Sequence, residues 1–524
     1  MRHLRFEMRI CLLVLSAVVA AGFASSVAGQ EVVGRDTIVV AGAHYGAGSG
    51  HRFLFGSEYR DLWTQPLRVP TLDLGAVGGG LTPISAGGRF QTRSLWFRGA
   101  DGYQYAIRSV DKYPAVLPPE LENTFVEKLI RDQTSAQHPG APAVIAPLLE
   151  ATGIAHTNPY LVVLPDDPRL GEFQEEFAGM LGFFERRATI EPGLPPFAGA
   201  LEIIDSDELF ARTKESARHR VDLPTFLKAR LFDYIVGDWD RHRGQWNWMR
   251  LDSDSVTTWV PLPEDRDQAF ARFDGTLLGL ARQYAPFLLN FGDNMPGASA
   301  FAWNGRDLDR TFLVQLGWSV WDSVAADLES RLTDSVIDAA VRALPPEYYA
   351  VDGARLTRAL MSRRDQLAQA ARDYYRLLAG EAEVHGTDAA ETVVIDRLQD
   401  GASDIRMYAG TTGADRSSAP FWSRRFHREE TEELRIYLNA GDDRLVVRGA
   451  HRSIPLRIVA GGNSLVIDSS RTGGVHLYAT GGDRWLGPVS IDRRPFHLPP
   501  KSRPEQLPPR DWGASSRPVV WAGY

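Results

Sequence analysis

Cysteine is almost absent from this 524-residue chain, which contains only Cys11. Cys11 lies in the N-terminal apolar stretch, so the rest of the chain has no disulfides and no thiol chemistry, and its stability must come from hydrophobic cores. Neither sign of charge is in large excess, since 58 basic and 66 acidic residues give a formal net charge of -8. Because no concentrated basic stripe accompanies this balance, we expect no nucleic-acid partner.

Long apolar runs are also missing, with one short exception at the N-terminus. Three arginines precede an apolar run over residues 10–22, and small residues follow it. The run is shorter than the roughly 20 apolar residues that a membrane-spanning helix needs, so the pattern indicates a cleaved signal peptide over residues 1–29. We therefore expect an exported protein whose mature chain begins near Gln30 and has no transmembrane helix.

The first part of the mature chain is rich in strand patterns. Residues 30–70 form a mixed N-terminal segment with one short amphipathic element, and a glycine-rich stretch follows over residues 75–89. Two strand-like runs are then joined by Asp101-Gly102, residue types that tolerate positive φ and so predict a tight hairpin. A helix is expected after Pro119.

Helical periodicity dominates the middle of the chain. Asp222 is typical of an N-cap, and apolar residues keep helical spacing from there to Gly237. That helix delivers the sequence GDWDRH, which contains Asp240, into a loop at its C-terminal end. The last helix of this part is predicted as one element over residues 354–378, because an apolar stripe runs along it.

Beyond that helix, short β-type runs take over. The motifs AGDDRLVV, AGGNSLVI and TGGDRWLG place Gly441, Gly461 and Gly481 in step. A glycine turn plus a strand, repeated about every 20 residues, indicates a β-solenoid or a β-sandwich over residues 381–498. The Gly-Asp turns are interpreted as plain turns rather than calcium sites. Residues 499–524 predict an extended proline-rich tail.

Three aspartates carry the chemistry that the middle of the chain suggests. Asp240 follows the helix, and Asp265 and Asp267 lie in PLPEDRDQAF at the end of a later strand. Phosphoryl transfer needs an oriented hydroxyl, divalent metal bridging the phosphates and positive charge on the nucleotide. One carboxylate can accept a proton while the others hold magnesium through oxygen. Trp246 and Trp248 alternate between the two motifs, which predicts a hairpin that turns the acids towards each other.

The pair GDWDRHRGQW and PLPEDRDQAF resembles the catalytic and metal-binding motifs of atypical kinases. The types concerned are the spore-coat CotH type, the secreted Golgi-type kinases, HipA-like kinases and, more distantly, phosphatidylinositol kinases. The resemblance implies an α+β chain with a two-lobed protein-kinase-like domain over residues 71–380, followed by the smaller β-rich domain. It assigns the catalytic role to the residues of the D-R-H motif, which are Asp240, Arg241 and His242.

The resemblance also implies metal and nucleotide contacts. Asp265 and Asp267 match metal-binding aspartates, and Gln245 takes a position where related enzymes carry an Asn or Glu metal ligand. The glycine-rich stretch over residues 75–89 would be the loop over the phosphates. The implied cofactors are ATP and Mg2+, or Mn2+ in its place.

The cation that meets the phosphates is left open between two residues. Arg108 stands where the resemblance expects lysine, and Lys112 follows four residues later. The acidic partner of this cation, on the following helix, is either Glu127 or Asp132. An arginine at the lysine position and Gln245 at a metal position are also features that a pseudokinase shows.

The whole chain resembles the periplasmic part of large outer-membrane proteins that continue into a β-barrel. A barrel would then be missing or supplied by another chain. Our hypothesis is a kinase-like protein, periplasmic or associated with the outer membrane, that transfers phosphoryl or nucleotidyl groups from Mg-ATP to an unknown protein or small-molecule acceptor. The alternative is a catalytically inactive pseudokinase that serves as a scaffold or binding module of the cell envelope.

Overall fold

The structure is a computed structural model, and it describes residues 34–87, 92–112, 131–252, 256–282, 288–411, 419–479 and 481–491. Three sequence predictions lie outside the described residues: the signal peptide, the helix expected after Pro119 up to residue 130, and the proline-rich tail. Within the described ranges, no helix combines the length and the apolar character needed to cross a membrane.

The secondary structure elements are numbered in chain order. The strands are β1 Asp36–Val40, β2 Pro66–Pro70, β3 Leu81–Gly87, β4 Thr92–Gly99, β5 Gln104–Lys112, β6 Tyr160–Val163, β7 Leu181–Arg186, β8 Glu202–Asp205, β9 His219–Val221, β10 Trp246–Arg250, β11 Thr257–Pro263, β12 Glu381–His385, β13 Glu391–Arg397, β14 Ser403–Ala409, β15 Trp422–Phe426, β16 Glu433–Tyr437, β17 Arg444–Arg448, β18 Leu456–Val459, β19 Leu465–Asp468, β20 Val475–Tyr478, β21 Arg484–Leu486 and β22 Val489–Ile491. The α-helices are α1 Ser49–Phe55, α2 Arg60–Trp63, α3 Ala141–Thr152, α4 Gln174–Phe177, α5 Ser206–Glu215, α6 Leu223–Val236, α7 Thr276–Ala281, α8 Ala298–Phe301, α9 Arg306–Phe312, α10 Trp318–Arg331, α11 Asp334–Val341, α12 Pro346–Tyr348, α13 Ala354–Asp365 and α14 Leu367–Gly380.

An antiparallel five-stranded sheet, in the order β3-β4-β5-β7-β6, carries one wall of the candidate site. The predicted hairpin at Asp101-Gly102 is confirmed, since β4 and β5 pair with Arg98 opposite Gln104 and Gly102 has φ 86°. The sheet packs on a core of its own that includes Phe97. This core holds β5 in place, and β5 ends in the candidate phosphate-contacting residues.

The glycine-rich stretch was predicted to be a loop over phosphates, and most of it is not a loop. Val77–Gly79 forms a short 3-10 turn, and Leu81–Gly87 is β3, which pairs with β4. A Cβ on Gly78 would lie 3.0 Å from the Tyr105 ring, so the turn packs against the sheet. Residues 88–91, between β3 and β4, lie outside the described residues.

The N-terminal segment, for which the sequence suggested little, joins the main core. β1 pairs with β2 in antiparallel register, and α2 coincides with the short amphipathic element predicted there. Tyr45 and Trp63 are buried in the same core as the central helix α6. This packing fully buries the side chain of Arg60.

Helix α6 begins and ends where the sequence predicts. The Asp222 side chain accepts a hydrogen bond from the Thr225 N–H (3.1 Å), and Gly237 ends the helix with φ 67°. The helix is buried along most of its length because it packs against α10, α13 and α14. Its rigid end therefore fixes the starting point of the loop that contains Asp240.

The predicted continuous helix over residues 354–378 is wrong, because the chain breaks between α13 and α14. At the junction, Gln366 N–H bonds the carbonyl of Arg363, three residues back. The Gln366 side chain instead donates to Ser362 O (2.9 Å), the carbonyl that a continuing helix would have used, and to Asp293 O (2.7 Å). A side chain that takes over a helical carbonyl is a known cause of such breaks.

The C-terminal region is a β-solenoid rather than a sandwich. From β16 onward the chain alternates between two sheets, in the orders β12-β16-β18-β20-β22 and β15-β14-β13-β17-β19-β21. Successive turns pair in parallel and in register, for example Leu434 with Leu456 and Leu456 with Val475. The inward side chains of both sheets share one core, which is what a stacked repeat buries.

The Gly-Asp turns serve to stack these solenoid turns on one another. Asp443 accepts a hydrogen bond from Glu391 N–H (3.0 Å), and Asp483 accepts from Gly462 N–H (3.0 Å) and Ser464 N–H (2.8 Å). Among the described residues, no cluster of three or more potential metal-ligating side chains occurs. The observed bonds join neighbouring turns of the stack.

Candidate active site

The loop after α6 and the loop after β11 lie side by side, as the alternation of tryptophans predicts. β10 and β11 form an antiparallel hairpin with Trp246 opposite Pro263. At one end of the contact, Glu264 N–H donates to Gln245 O (3.0 Å), and at the other, Phe270 N–H donates to Val236 O (2.9 Å). The two aspartate motifs are therefore held together at both ends.

Arg241, which belongs to the predicted catalytic motif, ties these loops together from inside. Its side chain is fully buried and donates from Nη1 to the carbonyls of Glu264 (2.6 Å) and Asp265 (3.0 Å). Its guanidinium lies over the Trp246 ring at 4.6 Å. Arg241 thus positions the loop that contains Asp265, and its side chain is closed off from solvent.

Asp265 has a backbone conformation that L-residues seldom adopt, with φ 46°. Such conformations persist when surrounding contacts impose them, and they concentrate at functional sites. The bond from Arg241 to the Asp265 carbonyl is one of these contacts. It leaves the Asp265 carboxylate exposed at the cleft.

Asp233, on α6, is the buried anchor of this arrangement. It accepts a hydrogen bond from Arg230 Nη1 (2.9 Å) and from Arg266, and it pairs with Arg241 Nε (3.3 Å). Burial acts to raise the pKa of Asp233, but the arginines, led by Arg266, outweigh burial and hold its pKa below the ordinary value. The helix, the Asp240 loop and the Asp265 loop therefore meet at one ionised carboxylate.

A second buried carboxylate, Asp238, lies beside the same arginines without a hydrogen bond. Its Oδ2 is 3.9 Å from Nη1 of Arg241 and from Nη1 of Arg266, and neither of its oxygens has a hydrogen-bond partner in the described part of the chain. Burial raises the pKa of Asp238 to about 7, although Arg241 opposes the rise. Asp238 can therefore gain or lose its proton near neutral pH.

A cleft opens between the five-stranded sheet and the β10–β11 hairpin. Lys112 projects into it from the end of β5, and Asp265 and Asp267 line the other side. The buried Lys112 ammonium donates to Asp267 and to Thr92 Oγ1 (2.6 Å). Burial lowers the pKa of Lys112 and Asp265 opposes this, while the adjacent Asp267 carboxylate also favours the charged ammonium.

The alternative cation, Arg108, lines the same cleft but has a different partner. It forms an ion pair with Glu185 on β7, and Glu185 also accepts a hydrogen bond from Thr157. The Arg108 side chain is 41% exposed, so it can turn towards a ligand. Of the two cations that the sequence left open, Lys112 is therefore the one placed against Asp267.

Asp240 lies close enough to Asp265 and Lys112 for their charges to affect its pKa. Burial raises its pKa, His242 opposes the rise, and the Asp265 carboxylate adds to it. Asn304 Nδ2 donates to Asp240 Oδ1 (3.2 Å) and orients the carboxylate. A raised pKa makes a carboxylate a better proton acceptor near neutral pH, as a general base requires.

His242 and Gln245 shape the loop between the two motifs. His242 Nδ1 accepts from Gly244 N–H (3.1 Å), so this histidine orders the loop. The Gln245 amide nitrogen lies 3.5 Å from His242 Nε2, while its Oε1 is buried and has no hydrogen-bond partner among the described residues. That orphaned oxygen is a free acceptor at the position predicted for a metal ligand.

The two predicted acidic partners of the cation are not seen in that role. Glu127 lies outside the described residues. Asp132 is bound by Arg60, whose Nη1 and Nη2 each donate to it at 2.7 Å, and by His51 Nε2 at 2.8 Å. In the structure Asp132 therefore pairs with an arginine from α2 rather than with Lys112.

Several site residues were not foreseen from the sequence, notably Asp233, Asp238, Arg266 and Asn304. Asp238 and Arg266 lie inside the two recognised motifs, and that position was the available signal for them. Asn304 is distant in sequence from Asp240, and no local pattern marks it.

No protein-family model and no curated protein matches this chain. Among solved structures, it is similar to the proinflammatory kinase CtkA of Helicobacter pylori, with 12% identity, 56% of this chain and 95% of that chain covered, and a TM-score of 0.31. It is also similar to the HipA, HipB and operator DNA complex of Shewanella oneidensis MR-1, with 12% identity, 56% of this chain and 67% of that chain covered, and a TM-score of 0.29. The similarity to a Golgi casein kinase has 12% identity, 56% of this chain and 72% of that chain covered, and a TM-score of 0.26. At such TM-scores, the roles of individual residues have to be identified from the site itself.

Proposed function

We propose that this protein is an exported, atypical kinase-like phosphotransferase that uses Mg-ATP and acts in the cell envelope. The observation that carries this proposal is the cleft where the Lys112 ammonium meets the Asp267 carboxylate, with Asp265 and Asp240 within electrostatic reach. A buried cation beside two carboxylates and a proton acceptor is the set of groups that phosphoryl transfer uses. Export rests on the N-terminal sequence alone.

The residues present fit a magnesium ion. Mg2+ is usually held by one or two carboxylates plus the substrate's phosphates, rather than by a cage of protein ligands. Asp265 and Asp267 supply the carboxylates, and the orphaned Gln245 Oε1 supplies a further oxygen. When bound, Mg2+ would neutralise the phosphate charge. The described residues contain no cluster of three acidic, histidine or cysteine ligands, so phosphate oxygens would have to complete the coordination of the metal.

Each of the chain's own groups then has a distinct role. Lys112 moves from Asp267 to a phosphate oxygen, and Arg108 can add its guanidinium fork. Asp240 takes the proton from the acceptor hydroxyl as the new oxygen–phosphorus bond forms, while the bond from that phosphorus to the ADP oxygen breaks. Arg241 keeps the two loops in register. The acceptor is an unknown protein or small molecule.

Transfer of labelled γ-phosphate tests the proposal. The mature chain, incubated with Mg2+ or Mn2+ and labelled ATP, is expected to label itself, and Asp265→Asn is expected to reduce the rate by roughly a hundredfold or more. Asp442→Asn, which removes an exposed carboxylate in the solenoid, serves as the matched control and should leave the rate unchanged. The enzyme proposal is lost if the wild type transfers no label or if Asp265→Asn transfers it equally well.

One observation favours the non-catalytic alternative. Lys112 and Asp267 already neutralise each other, and Arg108 is paired with Glu185, so the cleft is stable without nucleotide. A pseudokinase scaffold would use the same fold to hold an envelope partner. A partner complex that survives Asp240→Asn, together with absent phosphate transfer, would support this alternative.

A further inference from the structure

The outer faces of the two solenoid sheets differ in how their arginines are neutralised. On the sheet that contains β16 and β18, Arg435 pairs with Glu381 (2.6 Å) and Glu433 (2.9 Å), and Arg457 pairs with Glu433 (2.7 Å). These ion pairs leave little free positive charge. The face thus behaves as an ordinary solvated surface.

The opposite sheet has arginines without such partners. Arg444, Arg448 and Arg484 point outward from β17 and β21 and are exposed. None of the three forms an ion pair with an acidic side chain in the described part of the chain. The outward Asp396 is opposite Arg448 in the ladder and is bound by Arg406, and the exposed Asp442 precedes Arg444 by two residues.

The register places these arginines in a defined pattern. Arg444, Leu465 and Arg484 are direct partners across β17, β19 and β21. The next outward row, two residues further along each strand, is Val446, Ile467 and Leu486. Leu486 is 59% exposed. Because neighbouring strands lie about 4.8 Å apart, an apolar row runs along the sheet, and in the row beside it Arg444 and Arg484 flank Leu465.

The loops that follow β15, β17 and β19 form an edge of the solenoid that carries further positive charge. Arg428, Arg452 and Arg471 are exposed there and likewise have no ion-pair partner among the described residues. The loops that contain them stack, since Arg471 N–H donates to Gly449 O (3.3 Å) and Ser453 Oγ donates to Gly401 O (2.7 Å). Two exposed acids, Asp400 and Glu429, lie on this edge and only partly offset the charge.

We propose that this face, defined by Arg444, Arg448, Arg484, Ile467 and Leu486, docks on an anionic phospholipid bilayer. An open sheet face that carries cations and apolar side chains suits a bilayer surface, whereas a helical peptide ligand would favour a groove. Apolar side chains beside cations suit the headgroup boundary, because arginine stems lie along apolar surface while the guanidinium groups contact phosphates. This inference does not depend on the proposed phosphotransferase activity.

Vesicle flotation with the mature chain tests this docking. We expect binding to phosphatidylglycerol vesicles and little binding to phosphatidylcholine vesicles. Each arginine near an anionic surface strengthens binding about fivefold, so the triple variant Arg444→Gln, Arg448→Gln, Arg484→Gln should bind on the order of a hundredfold more weakly. The matched control removes three arginines of the helical region: Arg331→Gln, Arg342→Gln and Arg358→Gln.

The apolar row supplies a second test of the same face. Leu486→Ser removes an exposed side chain, so the fold should persist while phosphatidylglycerol binding weakens by several-fold. Equal binding by the triple variant and its control, or equal binding to both lipids, would overturn the proposal. It would also be overturned if Leu486→Ser had no effect and soluble inorganic polyphosphate bound as well as vesicles, since the face would then serve a soluble polyanion.

Discussion

Asp238 is a buried carboxylate that its surroundings do not satisfy. It has no hydrogen bond among the described residues, and its Oδ2 lies 3.9 Å from guanidinium nitrogens of Arg241 and Arg266. Both arginines also form ion pairs with Asp233. A charge left in this position acts directly on the two loops that form the candidate active site.

The raised pKa of Asp238 predicts a pH dependence of stability with a definite sign. The folded protein holds this proton with a pKa of about 7 and the unfolded chain with an ordinary value near 4, so unfolding releases the proton between these pH values. The contribution of Asp238 to the free energy of unfolding therefore falls as pH rises from about 4 to about 7, by on the order of 4 kcal/mol.

Asp238→Asn removes this dependence because asparagine does not titrate. Relative to wild type, the variant should gain stability as pH rises from 5 to 8, which urea unfolding at the two pH values measures. Asp442→Asn, at an exposed position, should show no such change. A difference between Asp238→Asn and wild type that is the same at both pH values would contradict the assignment.

At the scale of elements, capping and alternation were sufficient to predict much of the fold. Asp222 and Gly237 mark the ends of α6, and the tryptophan alternation marks the β10–β11 hairpin, because these signals act over a few residues. The break at Gln366 depends on Asp293, which is far away in sequence. A pattern confined to neighbours cannot predict it.

The same distinction applies to the candidate site. Asp240, Asp265 and Asp267 were predicted because their motifs are contiguous in sequence. The choice between Lys112 and Arg108, which are both on β5, needed the fold, since it depends on which of the two side chains meets Asp267. Buried ion networks such as that of Asp233 join residues from separate elements, and no spacing in the sequence marks them.

The repeated glycines of the solenoid provide a matched pair of substitutions. A Cβ on Gly461 would lie 1.5 Å from Asn439 O, whereas a Cβ on Gly481 would meet nothing within 4 Å. Gly461→Ala should therefore destabilise the solenoid by about 2 kcal/mol or more, and Gly481→Ala should stay within about 0.5 kcal/mol of wild type. Thermal or urea unfolding measures both. Equal stabilities would show that these turns do not stack as described.

At the scale of the whole molecule, the solenoid is joined to the helical region by specific contacts. Val314, from the segment after α9, is part of the solenoid core. Arg310 pairs with Glu383 on β12, and Trp422 Nε1 donates to Gln315 Oε1 (3.0 Å). The region with the cleft and the region with the unpaired arginine face are therefore parts of one connected structure, in which phosphate transfer and bilayer docking can be measured separately.

The cleft is proposed to bind a nucleotide through magnesium held by Asp265 and Asp267. Calorimetric titration of the mature chain with a non-hydrolysable ATP analogue measures this binding. We expect one-to-one binding that requires Mg2+ or Mn2+ and is lost in Asp265→Asn, while Asp442→Asn binds like wild type. Absence of binding by the wild type, or metal-independent binding that Asp265→Asn leaves unchanged, would contradict it.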